Sequence, residues 1–211
     1  MATRTKAAPP AGKARMLDAA EILFAENGFD GTSVRDITSR AKVEVGLVTY
    51  HFRTKADLFR ETMLRRAPAF SGALHAALDH VLIGKGDARA ILAAYLDTHI
   101  ALVRSPDPGW RSYIRLAAET MLRTGKEELN RGSVEFYRPV IRRYEEALIA
   151  AAPRRDAAEV SRIWAIFGRA ILSSLVGQQN PALHPDELEA IRLTFINIFA
   201  KSLEDGESCT A

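Results

Sequence analysis

The stretch TSVRDITSRAKVEVGLVTYHFRTKADL, residues 32–58, decides the fold of this chain. It contains two capping boxes, SVRD at 33–36 and TKAD at 54–57, in which a hydroxyl and an acid three residues later satisfy free amides at a helix start. The first box predicts a short helix over 34–41, and a second short helix is predicted over 45–52. Two short helices joined by a tight turn form the skeleton of a helix-turn-helix.

The apolar residues around this stretch have the spacing of packed helices. Ile37 and Ala41 are four residues apart, so they share one face of the first short helix. We expect this face, with Val48 of the second short helix, to pack against Leu23 and Phe24 of a helix that precedes the stretch. The sequence therefore predicts a small three-helix unit near the N-terminus.

The order and spacing of these residues resemble the DNA-binding signature of the tetracycline-repressor (TetR) family. The matching residues are Thr32-Ser33, Arg35-Asp36-Ile37, Ala41, Val43, Gly46, Tyr50-His51-Phe52, Lys55 and Leu58. The segment AEILFAENGFDG, residues 20–31, is similar to the family's first helix and the turn after it. The chain departs from the family pattern at Thr38, at Lys42, where glycine is usual in the turn, and at Glu44, where a small hydroxyl is usual.

The resemblance implies binding to double-stranded DNA at a palindromic operator. Val45, Leu47 and Thr49 are expected to meet base edges, and Gly46 allows a close approach of the helix. Arg35 can reach either a guanine edge or a phosphate. The full set of predicted DNA-binding residues is Thr32, Ser33, Arg35, Val45, Gly46, Leu47, Thr49, Tyr50, His51 and Lys55.

The charge distribution agrees with a polyanionic partner for the N-terminal part. Residues 1–66 hold 12 Lys+Arg against 8 Asp+Glu, whereas residues 67–211 hold 17 against 18. The net charge of +3 is therefore supplied entirely by the N-terminal part. A randomly basic surface would give a similar total.

The remaining sequence predicts an all-α chain in three parts. We expect a flexible basic arm over 1–12, a helix-turn-helix DNA-binding domain over 13–60, and a helical ligand-sensing and dimerisation domain over 61–211. The first helix is predicted over 13–26 because Asn27-Gly28 suits a C-cap. The other helices are expected over 55 to the mid-60s, then to 82, and over 87–104, 110–123, 129–151, 156–176 and 186–203.

The last two predicted helices carry wide apolar stripes. One contains Val160, Ile163, Trp164, Phe167, Ile171 and Leu175, and the other Leu188, Ile191, Leu193, Phe195, Ile196 and Phe199. Such stripes can serve a core on one side and a second copy on the other, or can be buried entirely within one chain. A two-fold dimer suits a palindrome, and the predicted homodimer interface is Ile163, Phe167, Ile171, Leu175, Leu188, Phe195 and Phe199.

The third part also carries candidate ligand-binding residues. Aromatic rings with polar tips suit a small, largely apolar effector, although ordinary core packing would use the same residues. Arg111, Arg115 and Arg138, together with Glu119, offer polar anchors for a carboxylate or for a neutral compound. The predicted ligand-binding residues are His99, Trp110, Tyr113, Phe136, Tyr137 and Phe167.

Other classes of function find little support in the sequence. No run of 18 apolar residues predicts a membrane span, no secretory signal is evident, and Cys209 is the single cysteine, so a cytoplasmic protein is expected. Phosphate loops and nucleophile or zinc motifs are missing, so we expect no enzyme and no cofactor. His75 and His80 are five residues apart, a spacing that does not place two metal ligands on one helical face, so we expect no metal. The leading hypothesis is a repressor released from its operator by a ligand, and the rival is a helical adaptor that binds another protein.

Overall fold

The computed structural model describes residues 11–122, 127–175 and 184–204. For residues 119–122 and 127–131 it describes the helical backbone and not the side chains. Every regular element in these ranges is a helix, which confirms the all-α class. The helices are α1 Ala11–Gly31, α2 Val34–Ala41, α3 Gly46–Phe52, α4 Lys55–Arg65, α5 Ala67–Ile83, α6 Ala88–Val103, α7 Gly109–Leu122, α8 Glu127–Ala151, α9 Ala157–Leu175 and α10 Pro185–Glu204. None of them is long and apolar enough to cross a membrane. Apart from its last two residues, the predicted arm lies outside the described residues.

Local signals set the boundaries of the first helices. The Asp36 amide donates to Ser33 Oγ at 3.1 Å, and the Ser33 amide donates to the Asp36 carboxylate at 2.9 Å, so the first capping box is complete. At the second capping box, the Asp57 amide donates to Thr54 Oγ1 at 3.0 Å. Gly28 has φ 70° and interrupts α1 at the predicted Asn27-Gly28 cap.

The turn between α2 and α3 accepts a lysine where the resemblance led us to expect glycine. Lys42 has φ 52° and ψ 53°, which is the left-handed conformation that costs a residue with a Cβ about 1–2 kcal/mol. Its amide donates to the backbone carbonyl of Ser39 at 3.1 Å, and the Val43 amide donates to that of Thr38 at 3.0 Å. These hydrogen bonds hold the tight turn despite the strain.

The N-terminal unit has its own hydrophobic core. Ile37, Ala41 and Val48 are buried with Phe24, as predicted from their spacing, and Phe52 is buried with them. The core extends beyond residue 60, because the described members also include Met63 of α4 and Leu116 and Ala117 of α7. The remaining members are Met16, Leu17, Ala19, Ala20, Ala25, Leu58 and Phe59. The helical break that separates this unit from the rest falls at Arg66, between α4 and α5.

The larger unit packs α5, α8 and α10 around α6, with α7 and α9 completing the bundle. Pro68 does not bend a continuous helix; it lies in the first turn of α5, where its missing N–H is not required. The Tyr144 hydroxyl of α8 donates a hydrogen bond to the Leu74 carbonyl of α5 at 2.9 Å, which links the two helices through the core. The α10 helix is tied to α6 by Arg192, whose Nε donates to Asp97 at 2.5 Å.

Candidate DNA-binding surface and ligand-domain interior

The outward face of α3 presents the side chains that the sequence assigns to DNA. Val45, just before the helix, is 50% exposed and Tyr50 is 80% exposed, while Thr49 lies exposed between them. A Cβ at Gly46 would meet nothing within 4 Å, so this part of the helix is open to an external partner. The apolar Val48 points the other way and is buried. An exposed face on a helix fixed by its inner face is what base recognition requires.

Thr32 and Leu47 are less accessible than their predicted role in DNA binding implies. Thr32 is 1% exposed, and its hydroxyl donates to the Leu23 carbonyl at 3.0 Å and the Gly28 carbonyl at 2.8 Å. Its hydroxyl therefore caps the end of α1, and the buried side chain has little surface left for a contact with DNA. Leu47 is half-buried against the N-terminal core, so it offers less of its side chain to a base than expected.

Several cations of the N-terminal unit lack a carboxylate partner among the described residues. In the N-terminal unit, several basic side chains are already paired: Lys13 with Glu61, Arg60 with Asp57, Arg65 with Asp18 and Arg66 with Glu21. Among the described residues of the same unit, no carboxylate lies within ion-pair distance of Arg15, Arg35, Arg40, Lys42, Arg53 or Lys55. Unpaired cations leave a net positive field, which attracts a polyanion.

Lys55 is held in place at the start of α4. Its Nζ lies 4.3 Å from the ring centroid of Phe29, so a cation–π contact orients it. A cation in the first turn of a helix is disfavoured by the helix dipole, and a phosphate beside it would remove that penalty. His51 is half-buried next to Tyr50, with ring centroids 4.8 Å apart.

The ligand-binding candidates gather around two rings that sequence reasoning missed. Phe70 of α5 contacts the rings of His99, Tyr113 and Tyr137, with centroids 4.9–6.2 Å apart. Tyr95 of α6 lies against His99, Tyr144, Trp164 and Phe167. Phe70 and Tyr95 fall on the apolar faces of predicted helices, so the helical period was the signal that could have identified them.

Hydrogen bonds inside this aromatic cluster fix several polar tips. The hydroxyls of Tyr113 and Tyr137 share a hydrogen bond, and burial raises the pKa of Tyr113 to about 12. His99 Nδ1 donates to the Tyr95 carbonyl at 2.8 Å, which leaves its Nε2 as an acceptor. Phe136 differs from the others, because it contacts Tyr137 but is 37% exposed.

Burial lowers the pKa of His99 to about 4, which predicts acid lability of the ligand domain. The unfolded chain takes up this proton near pH 6.5, whereas the folded chain resists it, so stability is lost as pH falls from about 6.5 towards 4. The loss is about 3 kcal/mol over that interval. Urea denaturation at pH 7 and pH 5 should show about 2 kcal/mol of this loss, and His99→Gln should reduce the difference. His80→Gln, which changes an exposed histidine of α5, is the matched control. If the free energy of unfolding changed equally between pH 7 and pH 5 in both variants, the prediction would be contradicted.

The expected arginine anchors do not face this interior. Arg111 is exposed and donates through Nε to the Val103 carbonyl at 2.9 Å, and Arg115 and Arg138 are exposed as well. The Glu119 side chain lies outside the described residues. Among the buried residues described in the larger unit, the polar ones are His99 and Ser133, and neither carries a charge at neutral pH. These three arginines therefore lie outside the aromatic cluster that they were predicted to anchor.

The apolar stripes of α9 and α10 divide differently from the prediction. Phe167, Ile171, Leu175 and Leu188, which were predicted at the dimer interface, are at most 9% exposed within one chain and leave little surface for a partner. Ile163, Phe195 and Phe199 are partly buried against the same core. The large apolar side chains left exposed on these helices are Ile166 at 59%, Leu193 at 50% and Ile198 at 55%.

Two family models match the chain. One, described as bacterial regulatory proteins of the tetR family, matches residues 16–62, and the other, described as a tetracyclin repressor-like C-terminal domain, matches residues 93–200. The repressor Rv3405c of Mycobacterium tuberculosis is 41% identical over 91 residues, which are 39% of this chain and 47% of that protein. The regulator YttP of Bacillus subtilis is 32% identical over 69 residues, 33% of each chain. The chain thus matches about half or less of the length of these relatives.

Solved structures share the fold. A TetR-like regulator from Rhodococcus sp. RHA1 has a TM-score of 0.68 at 20% identity, covering 93% of this chain and 98% of the other. FadR from Bacillus subtilis, in complex with stearoyl-CoA, has a TM-score of 0.67 at 18% identity, covering 90% and 98%. The second family model alone spans more than half of the sequence. This chain belongs to the TetR family of bacterial transcriptional regulators.

Proposed function

We propose that this protein is a repressor that binds a palindromic operator as a homodimer and is released by a small, largely apolar molecule. The observation that carries the proposal is the exposed face of α3, which belongs to a unit with several cations that have no carboxylate partner among its described residues. The setting would be the cytoplasm, where the DNA partner lies.

The contacts to DNA follow from the exposure of each residue. Thr49 can hydrogen-bond a base edge, and Val45 can contact a thymine methyl group beside the open backbone of Gly46. Tyr50, with its ring 80% exposed, reaches outward to a phosphate. Contacts to phosphate position the protein, and contacts to bases give specificity, so these two sets have different signatures in binding experiments. Ser33, Arg35, His51 and Lys55 complete the proposed positioning set.

Lys55→Ala should lower the salt dependence of DNA binding. Each cation that neutralises a phosphate releases counterions, so its loss should reduce the slope of log affinity against log salt by about 1. Fluorescence anisotropy with duplex DNA between low and moderate salt measures the slope. Arg142→Ala removes an exposed cation of α8 that pairs with Glu146, and it should leave the slope unchanged. A Lys55→Ala slope equal to that of wild type would exclude Lys55 as a phosphate contact, and a flat wild-type response would argue for the adaptor function instead.

A homodimer through α9 and α10 follows from the apolar side chains that remain exposed there. Ile166, Leu193 and Ile198 are each at least half exposed in one chain, although they lie on helices whose other faces form the core. Exposed apolar side chains on adjacent helices are typical of a surface that another chain covers. The partly buried Ile163, Phe195 and Phe199 would form the edge of that interface.

The proposed effector is neutral in the part that enters the ligand domain. The aromatic cluster offers the Tyr113–Tyr137 hydroxyl pair and the His99 acceptor as hydrogen-bonding groups, and a buried charge would find no opposite charge among the described residues there. FadR from Bacillus subtilis with stearoyl-CoA, and a regulator from Saccharomonospora viridis with choline, show that proteins of this fold hold small molecules. Stearoyl-CoA and neutral aromatic compounds are therefore suitable first probes. Their affinity should fall about 5- to 150-fold when duplex operator is present, and equal affinity with and without the duplex would contradict release by that probe.

A further inference from the structure

The break between α4 and α5 is filled by Arg66, whose guanidinium joins three parts of the chain. Its Nε donates to Glu21 Oε1 of α1 at 2.6 Å, and its Nη1 donates to Asp107 Oδ2 of the α6–α7 loop at 2.7 Å. Its Cζ lies 5.0 Å from the ring centroid of Trp110 in α7. We call these four residues the Arg66 junction. The Arg66 side chain therefore contacts both the DNA-binding unit and the ligand domain, which also pack against each other through α1 and α7.

The geometry of the Arg66 junction depends on a glycine. A Cβ placed on Gly109 would lie 1.8 Å from Arg66 Nη2 and 2.7 Å from its Cζ, so the guanidinium occupies the space of a side chain at this position. The Gly109 amide also donates to Asp107 Oδ1 at 2.9 Å, which fixes the carboxylate that receives Arg66. The loop is thus shaped to bring Asp107 and the Arg66 guanidinium together.

The charges in the Arg66 junction favour one arrangement. Glu21 is 2% exposed, and burial raises its pKa even though Arg66 opposes the shift. The hydrogen bond from Arg66 lowers the pKa of Asp107, which stays ionised. A buried ion is costly unless it is paired, so Arg66 cannot leave Glu21 without a penalty. The planar guanidinium, shared between two carboxylates, restricts the angle between the elements that carry them.

We propose that Arg66 is a positioning residue for DNA recognition. By tying α1 to the α6–α7 loop, it sets the angle at which each DNA-binding unit leaves its ligand domain, and hence the spacing of the two units across a palindrome. The hydrogen bonds of Arg66 go to Glu21 and Asp107, neither of which is a proposed DNA contact, so Arg66 would act through the orientation of the unit. The inference rests on the proposed dimer on a palindromic operator.

Two variants disturb the Arg66 junction without touching the DNA-facing residues. Asp107→Asn keeps an acceptor for the Gly109 amide but removes the charge that holds Arg66. Gly109→Ala displaces the guanidinium sterically and leaves every charge in place. Asp79→Asn is the matched control, because Asp79 also pairs with an arginine, Arg143, and its side chain is 51% exposed against 50% for Asp107.

The test compares two duplexes for each variant. One is the palindromic sequence that the wild-type protein enriches from a randomised duplex pool, and the other is the same sequence with one half scrambled. On the palindrome both units must fit at once, whereas on the half-site one unit binds and its angle to the partner unit has no effect. A looser Arg66 junction should therefore weaken binding to the palindrome only, since fewer dimers hold the arrangement that fits both of its halves.

The expected result is a loss of about three- to tenfold in affinity for the palindrome in Asp107→Asn and Gly109→Ala, with half-site affinity and the salt slope unchanged. Asp79→Asn should match wild type on both duplexes. Wild-type affinity of both junction variants for the palindrome would overturn the inference, as would an equal loss on both duplexes, which indicates a merely structural role. If the wild-type protein enriched only a single half-site, the proposed palindrome would fail together with the inference, and that outcome is recognisable before any variant is made.

Discussion

Replacing Leu193 and Ile198 together by glutamate is expected to convert the protein to monomers and to lower its affinity for a palindromic operator by about 10²- to 10⁴-fold. The second DNA-binding unit of a dimer binds at a high effective concentration, and this advantage is lost when the units separate. Both side chains are at least half exposed in one chain, so glutamate should leave the fold intact. Sedimentation equilibrium measures the mass, and circular dichroism verifies that the helices remain.

The control for this prediction is a second pair of exposed apolar residues. Leu82 and Ile83 at the end of α5 are 43% and 84% exposed, and glutamate at both positions should leave the dimer and its affinity unchanged. Ile171→Glu gives the opposite contrast, because Ile171 is fully buried and a charge there should unfold the chain. A Leu193→Glu, Ile198→Glu variant that remains dimeric would place the interface elsewhere.

Phe24→Ala is expected to reduce the free energy of unfolding of the N-terminal unit by about 3–5 kcal/mol and to abolish DNA binding. Phe24 is completely buried and contacts the rings of Phe29 and Phe59, with centroids 6.0 and 5.0 Å away. Truncation would leave a cavity between α1 and α4, in the core on which α3 also packs. Urea denaturation followed by circular dichroism measures the loss.

An exposed apolar residue supplies the reference for this loss of stability. Ile83→Ala removes a side chain that is 84% exposed, and its effect should stay within about 0.5 kcal/mol. If Phe24→Ala cost less than about 1 kcal/mol, the core of the N-terminal unit could not depend on this ring as its burial indicates.

Signals that act within one helical turn made most of the fold predictable. The box at Ser33 and Asp36 placed α2 at its observed bounds, and Gly28 ended the regular part of α1 close to the expected residue. The helical period also identified Ile37 and Phe24 as core residues, because apolar residues at helical spacing share the one face of a helix that packs inward. Helix ends in the rest of the chain followed from proline and glycine in the same way.

Contacts between distant residues decided the parts that the sequence could not predict. Thr32 belongs to the family signature, but its hydroxyl donates a hydrogen bond to the carbonyl of Leu23, nine residues earlier. A sequence motif does not reveal such a tertiary contact. The stripe containing Phe167 and Ile171 is wide enough for two partners, and only the packing of α9 against the core showed which residues one chain buries. Arg66 had no signal at all, because its partners lie 45 and 41 residues away.

The most direct test of the account is a comparison of the sequences that wild-type, Thr49→Ala and Lys55→Ala proteins enrich from a randomised duplex pool. If the exposed face of α3 reads bases, Thr49→Ala should change the preferred base at one position in each half of the palindrome, because it removes a hydrogen bond to a base edge. Lys55→Ala should enrich the wild-type sequence with lower affinity, because its partner is a phosphate. An unchanged consensus for Thr49→Ala, at any affinity, would contradict base recognition by this residue on α3.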